Sequence, residues 1–103
     1  MRWTMEDGTI VNTDKATKVF SEATGWDGSN MVSLATGSQW VHQTLYLSRK
    51  GRWYIGIDNW SFRSTSHAEY IEPEDAARWL LKNNYGVKDI PSELSKYISE
   101  IEE

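Results

Sequence analysis

Residues 39 to 60, Gln39-Trp40-Val41-His42-Gln43-Thr44-Leu45-Tyr46-Leu47-Ser48-Arg49-Lys50-Gly51-Arg52-Trp53-Tyr54-Ile55-Gly56-Ile57-Asp58-Asn59-Trp60, read as two β-strands folded back on each other. Their β-branched and aromatic residues suit a pleated, half-buried surface. Arg49-Lys50-Gly51 is a three-residue connection ending in glycine, which fits a type I turn followed by a left-handed position where a Cβ would be penalised. That turn places Ser48 opposite Arg52 and fixes every pair beyond it. Leu47 then faces Trp53, Leu45 faces Ile55 and Gln43 faces Ile57, giving one apolar side. The other side carries Tyr46 opposite Tyr54, Thr44 opposite Gly56 and His42 opposite Asp58, with Trp40 beside them.

Working outward, Asp7-Gly8 lies between two short β-prone runs and predicts a hairpin with a type I′ turn, positive φ at both residues. Asn12-Thr13-Asp14 is a turn. Ala16 to Thr24 is expected to be a strand, a short helix from Asp14 being the alternative. Gly25 to Asn30 reads as a loop. Trp26 within it either folds back onto the core, the first expectation, or stands exposed as a contact residue. Met31 to Thr36 predicts a further strand, Ser61 to His67 (with Phe62 in its middle) a loop or edge strand, and Ala68 to Ile71 a last short strand.

Pro73, followed by Glu74 and Asp75, opens a helix, since a missing N–H is harmless at the first position and acids there complement the dipole. Ala76, Ala77, Leu80 and Leu81 share its inner face with Trp79 at the flank, and Gly86 is the expected terminator. Leu94, Tyr97, Ile98 and Ile101 have the spacing of a second amphipathic helix. The expected fold is therefore α+β and a single domain over 1–103. An antiparallel meander of five or six strands spans about 2–71, and helices over about 73–84 and 91–102 cover its apolar face. The opposite face is expected to lie open to water, carrying Trp40, His42, Tyr46, Tyr54 and Asp58.

With 103 residues there is room for one core. Absence of cysteine removes disulfides, thiolate metal sites and cysteine nucleophiles. Met1 to Gly8 lacks the apolar run of a signal peptide and no segment is long and apolar enough for a bilayer, so a cytoplasmic protein without membrane contact is expected. The net charge of -4 argues against nucleic acid as a direct partner. Its acid is concentrated from Ala68 onward, as a solvated helical face or as a surface for a basic partner. Arg49, Lys50 and Arg52 beside Trp53 and Tyr54 form a small basic–aromatic tip, read first as a solvated turn.

Catalytic signals are thin. His42 and His67 are the only histidines and lack ligand spacing, so no metal is expected. There is no nucleophile elbow and no phosphate-cradling glycine loop followed by Lys-Ser/Thr, so no nucleotide cofactor is expected either. His42 opposite Asp58 is a candidate acid–base pair, read first as an ordinary cross-strand polar pair. The 6 tryptophans are more than so small a core needs. Most of them are expected in the core with one or two half-exposed, and partner binding becomes the better reading if two or more of Trp26, Trp40 and Trp60 share the open face.

Three blocks carry a resemblance: Asn12-Thr13-Asp14-Lys15-Ala16-Thr17-Lys18-Val19; Gln43-Thr44-Leu45-Tyr46 with Arg49-Lys50-Gly51-Arg52-Trp53-Tyr54-Ile55; and Ile71-Glu72-Pro73-Glu74-Asp75-Ala76-Ala77-Arg78-Trp79-Leu80. Together they resemble a family of small, largely uncharacterised proteins of bacterial genomes, phages and other mobile elements. The chain departs from that family where an acidic glycine-rich run is replaced by Gly56-Ile57-Asp58-Asn59-Trp60. The resemblance implies context rather than chemistry: a small accessory protein that binds and blocks a host protein or complex. Anti-CRISPR-like or anti-restriction inhibition is the expectation, exerted by a monomer or homodimer through Trp40, His42, Tyr46, Tyr54, Asp58 and Trp60. A self-associating structural domain and a weak hydrolase-like activity at His42 and Asp58 are the alternatives.

Overall fold

Val41–Leu47 and Trp53–Asn59 pair antiparallel in the expected register, with Leu47 opposite Trp53, Tyr46 opposite Tyr54 and His42 opposite Asp58. At the turn, the Ser48 N–H donates to Arg52 O at 2.8 Å and the Gly51 N–H to Ser48 O at 2.9 Å. Gly51 has φ +86°, the left-handed value for which glycine is suited. The computed structural model describes residues 1–60 and 65–101. In chain order its strands are β1 (Arg2–Thr4), β2 (Ile10–Asn12), β3 (Lys18–Ser21), β4 (Thr24–Trp26), β5 (Met31–Ser33), β6 (Val41–Leu47), β7 (Trp53–Asn59) and β8 (Thr65–Tyr70). Helices α1 (Pro73–Lys82) and α2 (Ser95–Ile101) follow. The main sheet has the order β3-β6-β7-β8, and β1-β2 and β4-β5 are separate two-stranded ribbons.

The fold is the α+β architecture expected, an antiparallel sheet packed against two C-terminal helices, but its strands divide differently. Gly25 and Trp26, read as loop, belong with Thr24 to a strand paired with Met31–Ser33. The turn shrinks to the residues between them because Asp27 Oδ1 accepts from the Ser29 and Asn30 N–H groups at 2.8 and 2.7 Å. Ala16 to Thr24 yields only Lys18–Ser21 as main-sheet strand, after a 3-10 turn at Thr13–Lys15 capped by Asn12. Thr65–Tyr70 extends the last strand N-terminally, while Phe62 and the loop expected around it lie outside the described residues.

The Asp7-Gly8 hairpin forms, but not through a type I′ turn. The Met5 N–H donates to Thr9 O at 2.7 Å and the Gly8 N–H to Met5 O at 3.0 Å, repeating the Ser48–Arg52 pattern. Gly8 has positive φ whereas Asp7 does not, because Asp7 Oδ1 accepts from both the Thr9 amide (3.0 Å) and its hydroxyl (2.6 Å).

Helix α1 buries Ala76, Ala77, Trp79 and Leu80, so Trp79 lies inside rather than at the flank. Its indole Nε1 donates to Gln43 Oε1 at 2.9 Å, which satisfies the polar residue on the apolar side of the hairpin. The helix is closed by Asn84 at φ +66°, not by Gly86. The Tyr85 N–H reaches Leu80 O at 3.0 Å and the Asn84 N–H reaches Leu81 O at 3.1 Å, a Schellman-type close. Asparagine tolerates the left-handed region, so the stop comes two residues early. The second helical segment begins as a 3-10 turn, Ser92–Leu94, and continues as α2, where Leu94 and Ile98 are buried. The main core joins Leu45, Leu47 and Trp53 of the sheet to Trp79, Leu80, Ile90, Leu94 and Ile98.

The opposite sheet face is not open along its whole length. A second core of Met5, Val11 and Tyr54, flanked by Trp3, Tyr46, Ala68 and Tyr70, lies under the β1-β2 ribbon. Met5 and Val11 of the ribbon segment close over Tyr54 of β7, and burial of such side chains, worth about 1.5–3 kcal/mol each, is what holds the ribbon against the sheet.

Candidate functional site

The roofed half of the face is an aromatic stack. Tyr46 lies on Tyr54 with centroids 4.9 Å apart and planes 13° from parallel, and Tyr70 meets Tyr54 edge-on at 6.3 Å. Trp3 covers the notch at Gly56, meets Tyr46 edge-on at 6.3 Å, and its Nε1 donates to Ser66 Oγ at 3.3 Å. Beside it the Arg52 guanidinium sits 3.5 Å above the Tyr70 ring, and its Nη1 donates to Asp7 Oδ2 at 3.0 Å. Thr9 and Tyr70 join their hydroxyls at 2.8 Å. The Thr9 hydroxyl bond is the first cause holding the Asp7 carboxyl down at about 2, with the Thr9 amide and Arg52 adding to it. Burial pushes the Tyr54 phenol up to about 12 and the Tyr46 phenol upward as well. Tyr54, expected on an exposed contact face, is thus wholly buried and Tyr46 half-buried. Short β1 and β2 with an intervening polar turn gave no sign that they would fold over this face.

The other half stays open. The Trp60 N–H donates to Trp40 O at 2.8 Å, extending the β6–β7 ladder by one pair. Both residues fall on the face of His42 and Asp58 by the alternation of the strands. Trp40 is 52% and Trp60 60% exposed. The Trp60 ring lies over the His42 ring, centroids 3.9 Å apart and planes 32° apart.

His42 is opposite Asp58 in the ladder, yet its ring does not pair with Asp58. Nδ1 contacts Glu22 Oε1 and Nε2 contacts Gln39 O at 2.9 Å. Both ring nitrogens are thus engaged by oxygen atoms, one of a carboxylate and one of a backbone carbonyl. Glu22 follows β3 directly and reaches His42 and Gln43 of the neighbouring β6. Its second oxygen accepts from the Ser33 hydroxyl and, at 3.2 Å, from the Gln43 N–H. Ser33 Oγ in turn accepts from the Ala35 and Thr36 amides at 3.1 and 3.3 Å. Ser38 Oγ then accepts from the Trp40 and Val41 amides at 3.0 and 3.2 Å. Polar bonds therefore fix the backbone on both sides of Trp40, and charge-assisted ones are the stronger kind.

Glu22 is the residue that sequence reading missed. It sits in Ser21-Glu22-Ala23-Thr24-Gly25, where no periodicity or motif singles out a carboxylate, and its importance comes from a contact with a residue twenty positions away. The acid–base reading of His42 and Asp58 loses its geometric basis, because both imidazole nitrogens are already engaged. Among the described residues, no three His, Asp or Glu side chains gather as a metal site requires.

Trp26 is 66% exposed, opposite the also exposed Met31 on the β4-β5 ribbon, so it does not fold back onto the core. The acidic surface of α1 is partly neutralised, since Arg78 pairs with Glu74 at 2.8 Å and Asp75 at 3.8 Å. No described helix is long and apolar enough to cross a membrane. Compared with family models, with curated proteins and with solved structures, the chain matches none.

Proposed function

We propose that this chain is a non-enzymatic binding module that captures a protein partner on the ledge formed by Trp40 and Trp60. The observation that carries the reading is the adjacency of two tryptophans, each more than half exposed, on a backbone already fixed by Glu22, Ser33, His42 and Ser38. Tryptophan supplies large rigid contact area with a polar N–H, which is why it is enriched where binding energy concentrates. A pre-ordered support reduces the entropy lost on association. Asp58 lies on the same face and Trp26 adds a third exposed tryptophan, on the β4-β5 ribbon. Tyr54 is removed from the contact set and Tyr46 remains only as its half-buried margin.

The partner is a host protein or complex in the cytoplasm, and steric blocking of a defence complex by a phage or mobile-element protein is the setting suggested by the resemblance. Capture from a bacterial lysate with the wild-type chain and with Trp40→Ala or Trp60→Ala tests the reading. A partner retained by the wild type and lost from both variants supports it; retention by both variants counts against it. Self-association is the second reading, favoured by the same exposed ledge. Light scattering at two protein concentrations separates them, since a mass that rises with concentration and falls back in Trp40→Ala assigns the ledge to a homodimer.

A further inference from the structure

A cleft of about 430 Å³ lies between the β1-β2 ribbon and the β6–β7 turn, well away from the tryptophan ledge. Arg2, Lys15, Arg49, Lys50 and Arg52 line it, with Tyr54 among them, and no Asp or Glu does. The basic tip read from sequence held only the residues around Gly51. Folding brings Arg2 of β1 and Lys15 of the Thr13–Lys15 turn to meet it. Arg52 is already committed to Asp7 and Tyr70, whereas Arg2, Lys15, Arg49 and Lys50 have no carboxylate partner among the described residues. In a chain of net charge -4, such a gathering creates a local field opposite to the overall one.

The second observation is independent of charge. Tyr54 is wholly buried, lines this cleft, and its hydroxyl is the buried side-chain polar atom left without a hydrogen-bond partner among the described residues. A buried hydroxyl without a partner is destabilising, and native proteins seldom retain one without a reason. Its neighbours offer none: Tyr46 and Tyr70 contact it by their rings, and the Tyr70 hydroxyl is engaged by Thr9. Because burial keeps the phenol protonated to about 12, it stands ready as a donor. The acceptor that complements a phenolic donor among four free cations is an oxyanion with several oxygens. Ile10 and Val11 of β2 give the same cleft an apolar flank, and its size falls within the range of small-ligand sites.

We infer that the cleft between the β1-β2 ribbon and the β6–β7 turn binds a small phosphomonoester of nucleoside-monophosphate size, held by Arg2, Lys15, Arg49 and Lys50 with Tyr54 Oη donating to a phosphate oxygen. The site is separate from the proposed protein-binding ledge, so either can fail alone.

The test is thermal unfolding of the full chain with adenosine monophosphate, inorganic phosphate or sodium chloride at matched ionic strength. A saturable rise in midpoint with the monophosphate, absent with chloride, is expected. Lys50→Gln and Arg49→Gln should each weaken it about tenfold, the loss of one charge-assisted contact. Tyr54→Phe should raise the ligand-free midpoint while weakening the monophosphate. Trp40→Ala should leave binding unchanged. An equal response to inorganic phosphate supports the oxyanion chemistry and assigns phosphate itself as the ligand. No response of the wild type to either anion overturns the inference, as does a response that Tyr54→Phe leaves intact. Tighter binding of a single-stranded oligonucleotide, insensitive to Tyr54→Phe, overturns it in favour of backbone contact.

Discussion

Replacing Gly56 by alanine probes the roof over the sheet most sharply. A Cβ at this position would stand 2.9 Å from Trp3 Cη2, 3.0 Å from Tyr46 Cε2 and 3.2 Å from Trp3 Cζ3. The indole and phenol must both give way, and neither has a free direction, since Trp3 is tied to Ser66 and Tyr46 is stacked on Tyr54. Overpacking of this kind costs about 1–3 kcal/mol. Replacing glycine in a strand returns roughly 0.5–1 kcal/mol of backbone entropy. The net expectation is a loss of about 1–2 kcal/mol, or roughly 5–15 °C in Tm for a domain of this size. Urea denaturation of Gly56→Ala, Trp3→Ala and the double variant forms a cycle. In the Trp3→Ala background the added methyl meets only Tyr46, so its cost should fall below about 0.5 kcal/mol. An equal cost in both backgrounds would mean that Trp3 does not rest on Gly56, and the divided face would have to be abandoned.

Glu22→Gln keeps an acceptor for Ser33 and Gln43 but loses the carboxylate opposite His42, and is expected to cost about 1–3 kcal/mol in urea denaturation; a change below about 0.5 kcal/mol would show that the hub is ornamental. Asp7 has its folded pKa depressed from 3.8 to about 2, so its contribution is complete above the former value and fades as pH falls through the latter. Asp7→Asn should therefore flatten the acid limb of a stability–pH curve, and an unchanged limb contradicts the Thr9–Asp7–Arg52 network. Tyr54 has its folded value raised from 10.0 to about 12, so stability is intact below the first and declines as pH rises toward the second. Tyr54→Phe should lessen that alkaline loss, read by circular dichroism between those limits. Asn84→Gly should be tolerated at φ +66°, whereas Asn84→Val should cost about 1–2 kcal/mol, and equal stabilities would refute the left-handed close of α1.

The parts legible in the sequence were those set by local chemistry. Gly51 fixes a turn, the turn fixes register, and alternation then assigns every side chain from Val41 to Asn59 to a face. Pro73, Glu74 and Asp75 announce a helix start for equally local reasons. The early strands were misjudged where side chains reorganise the backbone: Asp27 tightens a turn so that Trp26 joins a strand, and Asp7 binds Thr9 instead of adopting positive φ. The site was half legible. Trp40, His42, Asp58 and Trp60 share a face by register, but which half of that face stays open depends on where β1 and β2 dock. That docking is decided by the fit of Trp3 onto the absent side chain of Gly56, a contact across more than fifty residues with no periodic signature. Glu22 and the cleft around Tyr54 are likewise products of tertiary assembly.

Paramagnetic attenuation of the six indole N–H resonances by a soluble gadolinium chelate tests the division of the sheet face directly. The Trp26, Trp40 and Trp60 signals should be strongly attenuated, and those of Trp53 and Trp79 preserved, with Trp3 intermediate beneath its ribbon. Equal attenuation of Trp3 and Trp40, or protection of Trp40 and Trp60 to the level of Trp53, would contradict a face roofed at one end and open at the other.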